Sequence, residues 1–158
     1  MNKLRVEEVA WDHPASVSLR AEQRAEIAIR YGTPDSEPGP EPGAHDITAF
    51  FVAFGPSSDG GGDDEPLACG GVRALDDEHA EVKRMYVRPA ARGTGAATSI
   101  IRRLEEYGRG SGWRRLVLET GDRQPDAVRF YSREGYGRIP NFGYYEGHAA
   151  SLCFARDL

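Results

Sequence analysis

A glycine-rich turn carries the clearest chemical signal in the sequence. Residues 92–97 read RGTGAA, and an apolar pattern at helical spacing follows them. The first four N–H groups of a helix have no partner inside the helix, and small side chains let an anion come within hydrogen-bonding distance of them. A tight strand-to-helix turn without a ligand is the alternative. The turn predicts a phosphate or pyrophosphate site formed by Arg92, Gly93, Thr94, Gly95, Ala96 and Ala97.

Two common nucleotide-binding patterns fail on specific residues of this turn. The phosphate loop of nucleoside triphosphatases needs GxxxxGK[ST], and the turn has neither the lysine nor the metal-binding hydroxyl in that register. The dinucleotide fingerprint GxGxxG is also missing, as is an acidic residue at the expected offset in an N-terminal βαβ unit. The predicted anion therefore belongs to another class of ligand.

Hydrophobic periodicity, prolines and glycines predict the elements that position this turn. The predicted strands cover residues 3–10, 47–54, 67–75, 79–87, 114–120 and 151–158. The predicted helices cover residues 14–31, the stretch after the glycine-rich turn, and 125–134, while 55–66 is a hairpin connection and 135–150 is irregular. The Pro- and Gly-rich residues 32–45 are expected to form a mobile loop. The early strands form a meander and the later strands alternate with helices, which predicts a mixed α/β sheet with helices on both faces, in a single domain of residues 1–158.

Composition and charge exclude several classes of function. The chain has 158 residues, of which 28% are charged and 39% hydrophobic, and its net charge is −5. This charge argues against nucleic acid as the main partner, because phosphate backbones attract basic surfaces. No stretch approaches the roughly 18 apolar residues of a membrane span, and no residue set has metal-ligand spacing, so we expect neither a membrane nor a metal. Cys69 and Cys153 lie in apolar runs, which favours buried free thiols and a cytoplasmic location.

Several segments together resemble the GNAT superfamily of N-acetyltransferases. RGTGAA matches R-x-x-G-x-A, the family's motif for the pyrophosphate of acetyl-CoA. AEVKRMYVRPAARGTGAA resembles the family's fourth strand and following loop, RRLVLET its fifth strand, and AVRFYSREGY its A-x-x-F-Y-x-x-x-G-Y segment. The resemblance covers residues 66–158. It implies an acyl-CoA N-acyltransferase fold, a twisted, mostly antiparallel sheet with splayed fourth and fifth strands and flanking helices.

The resemblance also implies acetyl-CoA as the co-substrate. In the family, the pantetheine arm enters between the splayed strands, where it would pair with backbone groups of Met85, Tyr86 and Val87. The pyrophosphate would then lie on the glycine-rich turn. Thr94 stands where family members often carry a basic residue, so a hydroxyl replaces one charged contact.

The implied reaction is acyl transfer from a thioester to an amine, which needs a base and an acid. Tyr131 is the candidate general acid because it stands at the tyrosine of the F-Y segment, and ordinary packing of its ring is the alternative. Glu81 is the candidate base, because alternation along its strand places it on the same face as Met85. An ordinary carboxylate paired with Lys83 is the alternative for Glu81. Glu119 is the second choice, as base or as anionic partner of the amine, and a contact with the loop GDRQ that follows it is the alternative.

The acceptor site is expected in the least regular parts of the chain. These are the loop of residues 32–45 and the segment NFGYYEG, whose aromatic and polar residues could equally be packing: Asn141, Phe142, Tyr144 and Tyr145. The sequence therefore predicts acetyl transfer to a primary amine of a small molecule, an amino acid or a peptide, with a homodimer left open. A non-catalytic acyl-CoA-binding sensor or interaction module of the same fold is the alternative.

Overall fold

The structure, a computed structural model, describes residues 4–33, 36–57 and 59–158. These residues form a seven-stranded sheet with the order β1-β2-β3-β4-β5-β7-β6. The strands are β1 (Arg5–Glu8), β2 (Ala49–Pro56), β3 (Asp64–Ala74), β4 (His79–Val87), β5 (Arg115–Gly121), β6 (Gly137–Ile139) and β7 (Ser151–Asp157). The helices are α1 (Pro14–Tyr31), α2 (Ala96–Gly110) and α3 (Pro125–Arg133). The predicted mixed α/β class is confirmed, and the six predicted strands and three predicted helices occur in the predicted order, with β6 as an additional short strand.

The sheet is antiparallel throughout except where β4 meets β5. These two strands pair in parallel over residues 79–81 and 115–117, and no further pair joins them along the rest of β4 and β5. β5 continues in antiparallel pairing with β7 to Gly121, whereas β4 continues beside β3 to Val87. The two strands therefore diverge toward their carboxyl ends, which confirms the expected splay.

Helices cover both faces of the sheet. On one face, α2 buries Ile100, Ile101 and Leu104 completely, and α3 packs against the same cluster. On the opposite face, α1 buries Leu19 against Phe50 and neighbouring side chains of the first strands. Because Ala, Ile and Leu recur at helical spacing on the buried sides of these helices, burial of apolar surface fixes where each helix lies. This arrangement places α1 and α3 on either side of the splay.

A β-bulge interrupts β4 at Arg84. This residue has a φ of 60°, and the pairing with β3 shifts register at this point. Beyond the bulge, Met85 packs in the same cluster as Val82, on the α2 face of the sheet. Glu81 and Lys83 contact residues on the other face. The expectation that Glu81 and Met85 share one face is therefore wrong, because one extra residue inverts the alternation of a strand.

Several predicted boundaries differ from the structure. β2 extends to Pro56 and β3 begins at Asp64, so the hairpin connection is shorter than the predicted 55–66. The short strand β6 and a 3₁₀ turn at Gly143–Tyr145 lie within the stretch 135–150 that carries no clear sequence pattern. The described part of the predicted loop 32–45 holds no helix or strand. Residue 3 of the predicted first strand, residues 34 and 35 of the loop and residue 58 of the hairpin connection lie outside the described residues. Within the described chain, no helix is long and apolar enough to cross a membrane.

Candidate functional site

A large cavity of about 610 Å³ runs from the glycine-rich turn to the splay between β4 and β5. Gly93 and Gly95 have φ values of 79° and 88°, in the left-handed region that side chains disfavour. No heavy atom lies within 4 Å of a Cβ added at either glycine, so the backbone faces open space. The lining includes these predicted residues: Met85, Tyr86, Val87, Arg92, Gly93, Gly95, Ala96, Ala97 and Tyr131.

Thr94 is the exception among the residues of the predicted anion site. Its hydroxyl donates a hydrogen bond to the Ala91 carbonyl at 2.5 Å, and Thr94 is not among the described residues that line the cavity. The hydroxyl therefore closes the turn locally. The predicted replacement of a charged contact by this hydroxyl stays a prediction, and it requires the side chain to leave its present partner.

Arg92 is already paired with α1 in this structure. Its Nη2 donates to Glu26 Oε2 at 2.6 Å, and its Nε donates to the Val87 carbonyl at 3.1 Å. Arg30 contacts the second oxygen of Glu26 at 3.0 Å. Two guanidinium groups thus flank one carboxylate on the rim of the large cavity, where an incoming phosphate would compete with that carboxylate for them.

Backbone carbonyls at the end of β4 also have side-chain partners. Gln23 Nε2, on α1, donates a hydrogen bond to the Met85 carbonyl at 2.8 Å, and Arg92 Nε donates one to the Val87 carbonyl. These bonds satisfy groups that the departure of β5 would otherwise leave unpaired. The backbone groups that were expected to await the pantetheine arm are therefore partly occupied by side chains.

A smaller cavity of about 160 Å³ adjoins the large one where the strands diverge. Gln23, Ile27, Met85 and Tyr131 line both cavities, so the two spaces meet around these side chains. Glu119 lines only the smaller one of these two. The splay thus connects a long cavity beside the glycine-rich turn to a compact chamber that contains a carboxylate.

Glu119 is a carboxylate of this chamber whose pKa is raised far above that of a free glutamate. Burial raises its pKa to about 7, against the opposing effect of a hydrogen bond from Ser151 Oγ at 2.7 Å. The nearby negative charges of Glu37 and Glu81 raise the pKa further, and the positive charge of Lys83 lowers it. A carboxylate with a pKa near neutrality can hold or release a proton under ordinary conditions.

Tyr131 lies at the junction of the two cavities. Its side chain is 7% exposed, and burial followed by the charge of Glu119 raises the pKa of its hydroxyl well above the usual range. The ring stacks in a T-shaped arrangement on Phe130, with centroids 5.2 Å apart. Among the described residues, none forms a hydrogen bond with the hydroxyl. The phenol is therefore a protonated hydrogen-bond donor at the splay, and its hydroxyl has no acceptor among the described residues.

Glu81 is completely buried away from these cavities. Arg73 Nη2 donates to its Oε1 at 2.6 Å, and the Tyr145 hydroxyl donates to its Oε2 at 2.6 Å. The Lys83 ammonium lies 3.6 Å from the same Oε2. Glu81 is not among the described residues that line the chamber, so the structure places Glu119 there and Glu81 behind it.

The segment 141–145 supports this buried network from outside. Asn141 Nδ2 donates to the carbonyls of Tyr145 and His148 at 3.1 and 3.0 Å, and Phe142 packs edge-on against the Tyr145 ring. Tyr144 is 60% exposed and lies over Gly39 of the loop that follows α1. Asn141, Phe142 and Tyr144 are not among the described residues that line either cavity. Asn141 and Phe142 thus brace Tyr145, and direct contact of Asn141, Phe142 or Tyr144 with an acceptor stays a prediction.

Sequence reasoning missed the contribution of α1, and it named the loop of residues 32–45 for the acceptor site without singling out Glu37. Gln23 and Ile27 project from α1 into both cavities, and Glu37 of the loop lines the smaller one. Lys83 and Arg84 line it as well, although only the neighbouring strand residues were predicted for the site. The helical spacing of Gln23 and Ile27 was a usable signal, whereas no local pattern distinguishes Glu37 from the other acidic residues of its loop. Among the described residues, no group of three His, Cys, Asp or Glu side chains could hold a metal ion.

Comparisons with known proteins place this geometry in a family. The model of the Acetyltransferase (GNAT) family matches residues 30–136. The chain is 35% identical over 94 residues to an IAA acetyltransferase from Azospirillum brasilense, a match that covers 58% of this chain and 61% of that protein. It is 34% identical over 97 residues to the uncharacterized N-acetyltransferase YsnE from Bacillus subtilis, covering 60% of this chain and 64% of the relative. The matches thus span a little over three fifths of these relatives' lengths.

Solved structures share the fold along the whole chain. An acetyltransferase of the GNAT family from Staphylococcus aureus superposes with a TM-score of 0.75 at 15% identity, covering 99% of both chains. A GNAT family acetyltransferase from Elizabethkingia anophelis, solved with acetyl-CoA bound, superposes with a TM-score of 0.67 at 12% identity and covers 98% of both chains. At these identities the similarity concerns the fold. The family model matches about two thirds of the chain, which confirms the resemblance predicted from the sequence. The protein is a member of the GNAT acetyltransferase family.

Proposed function

We propose that this protein transfers the acetyl group of acetyl-CoA directly to a primary amine. The observation that carries the proposal is the meeting of two cavities at the splay, with Tyr131 at their junction and Glu119 in the smaller one. One cavity has the dimensions and the backbone donors for an extended phosphate-bearing ligand. The other offers a small chamber with a carboxylate whose pKa is about 7, as a site of proton transfer requires.

The co-substrate proposal rests on the large cavity. The glycine-rich turn and the start of α2 would hold the pyrophosphate, and Arg92 would exchange Glu26 for it. Two structural neighbours carry related ligands: the Elizabethkingia protein binds acetyl-CoA, and Rv2747 from Mycobacterium tuberculosis was solved in complex with CoA and NLQ. Displacement of Gln23 from the Met85 carbonyl would free that backbone group for an amide of the pantetheine arm.

Acetyl-CoA supplies the activated acetyl group as a thioester, and the amine must reach it without its proton. We assign Glu119 as the group that accepts this proton, directly or through a water. An alkylammonium has a pKa near about 10, so transfer to a carboxylate of pKa about 7 is uphill by roughly 4 kcal/mol. Transfer to an unperturbed carboxylate would be uphill by roughly 8 kcal/mol. The environment of Glu119 thus removes nearly half of that penalty.

Tyr131 is assigned the role of donor to the departing sulfur. Because burial raises the pKa of its hydroxyl, the phenol stays protonated at neutral pH and can donate a hydrogen bond as negative charge develops on sulfur. The absence of a described hydrogen-bond partner leaves this donor available. After the amine attacks the thioester carbonyl, the carbon–sulfur bond breaks and CoA leaves as the thiol, with a proton from the phenol or from solvent. The nitrogen, now acetylated, releases its second proton to the phenolate or to solvent, which restores the Tyr131 hydroxyl.

Glu81 is assigned a positioning role rather than that of the base. Its two oxygens are held by Arg73 and the Tyr145 hydroxyl, and it is completely buried. A base in this position would have to break a buried ion pair, which costs several kcal/mol. Glu81 instead fixes Tyr145 and lies within 3.6 Å of the Lys83 ammonium, which lines the acceptor chamber.

The proposal is tested by incubating the protein with acetyl-CoA and a panel of primary amines while measuring thiol release. Acetylated amine and free CoA should appear in equal amounts, and Tyr131→Phe should retain CoA binding while losing turnover. The exposed Glu106→Gln on α2 provides a matched surface control. If CoA stabilises the protein but none of the amines is acetylated, the non-catalytic acyl-CoA-binding module becomes the better account.

A further inference from the structure

A carboxylate of this chain occupies the acceptor chamber and bridges two cations. Arg84 Nη1 donates to Glu37 Oε2 at 2.7 Å, and Lys83 Nζ donates to Glu37 Oε1. The Tyr145 hydroxyl lies 3.2 Å from the same Oε1. Burial by itself would raise the pKa of Glu37, but the charges and hydrogen bonds of Lys83 and Arg84 lower it below the usual range. Glu37 is therefore an ionised carboxylate held at both oxygens.

The bulge in β4 builds the cation pair. In a regular strand, consecutive side chains point to opposite faces, so Lys83 and Arg84 would not reach the same group. The positive φ of Arg84, uncommon for a residue with a Cβ, brings both side chains to one carboxylate. Lys83 has further partners in the Tyr145 hydroxyl at 3.0 Å and Glu81 at 3.6 Å. The sheet and its buried network thus hold Lys83 independently of Glu37.

Glu37, in contrast, belongs to a segment without helix or strand. It stands between the acceptor chamber and a third cavity of about 540 Å³, and both spaces are lined by Glu37 and Arg84. The third cavity extends under α1 past Trp11 and Arg20 to the prolines of the loop. Withdrawal of Glu37 would join the two spaces and leave the cation pair facing the chamber that contains Glu119.

We infer that the acceptor is an amine that also carries a carboxylate, bound by Lys83 and Arg84 in the place that Glu37 occupies. This inference rests on the proposed function. The amine would lie toward Glu119, and the remainder of the acceptor would extend into the third cavity beside Trp11. Opposite charges at the two ends of one small chamber match an amino acid better than a simple alkylamine. Glu37 then acts as an internal competitor that leaves when the acceptor binds.

Matched pairs of acceptors test the inference directly. Thiol release from acetyl-CoA is measured with alanine and ethylamine, with leucine and isopentylamine, and with phenylalanine and phenethylamine, so that each pair differs by one carboxylate. For at least one pair, kcat/KM should favour the amino acid by more than about tenfold, in line with the worth of a charged hydrogen bond. Arg84→Gln should reduce this ratio by roughly ten- to a hundredfold. Arg114→Gln, at an exposed arginine that pairs with Glu78, should leave it unchanged.

Glu37→Gln distinguishes a competitor from a merely structural contact, because the expected change has the opposite sign. Removing the internal carboxylate should raise kcat/KM for the amino acids by roughly three- to tenfold, since the binding-competent state is then more populated. It should leave the amines without a carboxylate nearly unchanged.

The outcomes separate this inference from the proposed function. Acetylation of both members of every pair at similar rates, or a fall in amino acid turnover in Glu37→Gln, would overturn the inference and leave the proposed function standing. Absence of acetylation with every amine in the wild-type protein would overturn the proposed function and the inference with it. Thermal unfolding of each variant shows whether it is folded, and Glu37→Gln keeps the test decisive if Arg84→Gln does not fold.

Discussion

Replacing Glu119 by glutamine should stabilise the protein, and the gain should grow with pH. The folded state raises the pKa of Glu119 from 4.5 to about 7. Below pH 4.5 the carboxyl is protonated in both the folded and unfolded states, so it contributes no difference in stability. Between pH 4.5 and 7 the unfolded chain releases the proton while the folded protein retains it, and the wild type therefore loses stability as pH rises. Glutamine removes this loss and can still accept the hydrogen bond from Ser151.

The magnitude follows from the size of the shift. One pKa unit corresponds to about 1.4 kcal/mol, so a shift of about 2.5 units gives at most about 3.5 kcal/mol above pH 7. For a chain of this length, 1 kcal/mol changes Tm by about 2 to 4 °C, which sets an upper bound of about 7 to 14 °C. The variant should transfer acetyl groups more slowly near neutral pH, because the raised pKa that destabilises the fold is the property that serves the reaction.

The assay is thermal unfolding of wild type and Glu119→Gln at intervals from pH 5 to 8.5. Glu106→Gln, an exposed glutamate on α2, controls for the general effect of removing one negative charge. The difference in Tm between Glu119→Gln and wild type should be small at pH 5 and largest near pH 8. A difference that stays constant over this range, or a variant that is less stable than wild type at pH 8, would refute the reasoning.

The other predictions concern the large cavity, Tyr131 and the buried contacts of Glu81. CoA at a hundred times its Kd should stabilise the wild type by about 2.7 kcal/mol. Gly95→Glu should show no CoA-dependent rise in Tm, because its bulk and negative charge then stand at the pyrophosphate position. A normal rise in this variant would contradict the proposed pyrophosphate site. Tyr131→Phe should lower kcat by roughly ten- to a thousandfold with CoA binding nearly unchanged, and unchanged single-turnover rates would remove Tyr131 from the chemistry. Glu81→Gln should destabilise the fold by roughly 3 to 5 kcal/mol, since Arg73 loses a buried partner, and urea unfolding that shows less than about 1 kcal/mol would contradict the buried ion pair.

Local patterns in the sequence were sufficient to predict the fold and the large cavity. Alternation and apolar runs predicted the strands, and the turn from Arg92 to Ala97 lies where the motif places it because its backbone requirements are local. The motif at Tyr131 likewise sits on a short helix that the flanking proline and glycine delimit. Where a few neighbouring residues determine the conformation, sequence reasoning and structure agree.

The acceptor chamber could not be predicted in the same way, because it depends on distant parts of the chain. A single bulge at Arg84 moves Glu81 to the face opposite Met85, and alternation alone cannot reveal one inserted residue. Glu37 reaches Lys83 from a position 46 residues earlier in the chain. The pKa of Glu119 arises from burial among elements that meet only in the folded protein.

The most direct test of the proposed chemistry is the pH dependence of the single-turnover rate of acetyl transfer, measured with saturating amine. If Glu119 accepts the proton, the wild-type rate should rise through an apparent pKa of about 7. In Glu119→Gln this inflection should disappear, and the remaining rate should increase only as the free amine becomes more abundant at higher pH. The same inflection near pH 7 in Glu119→Gln would contradict the assignment of Glu119 as the base.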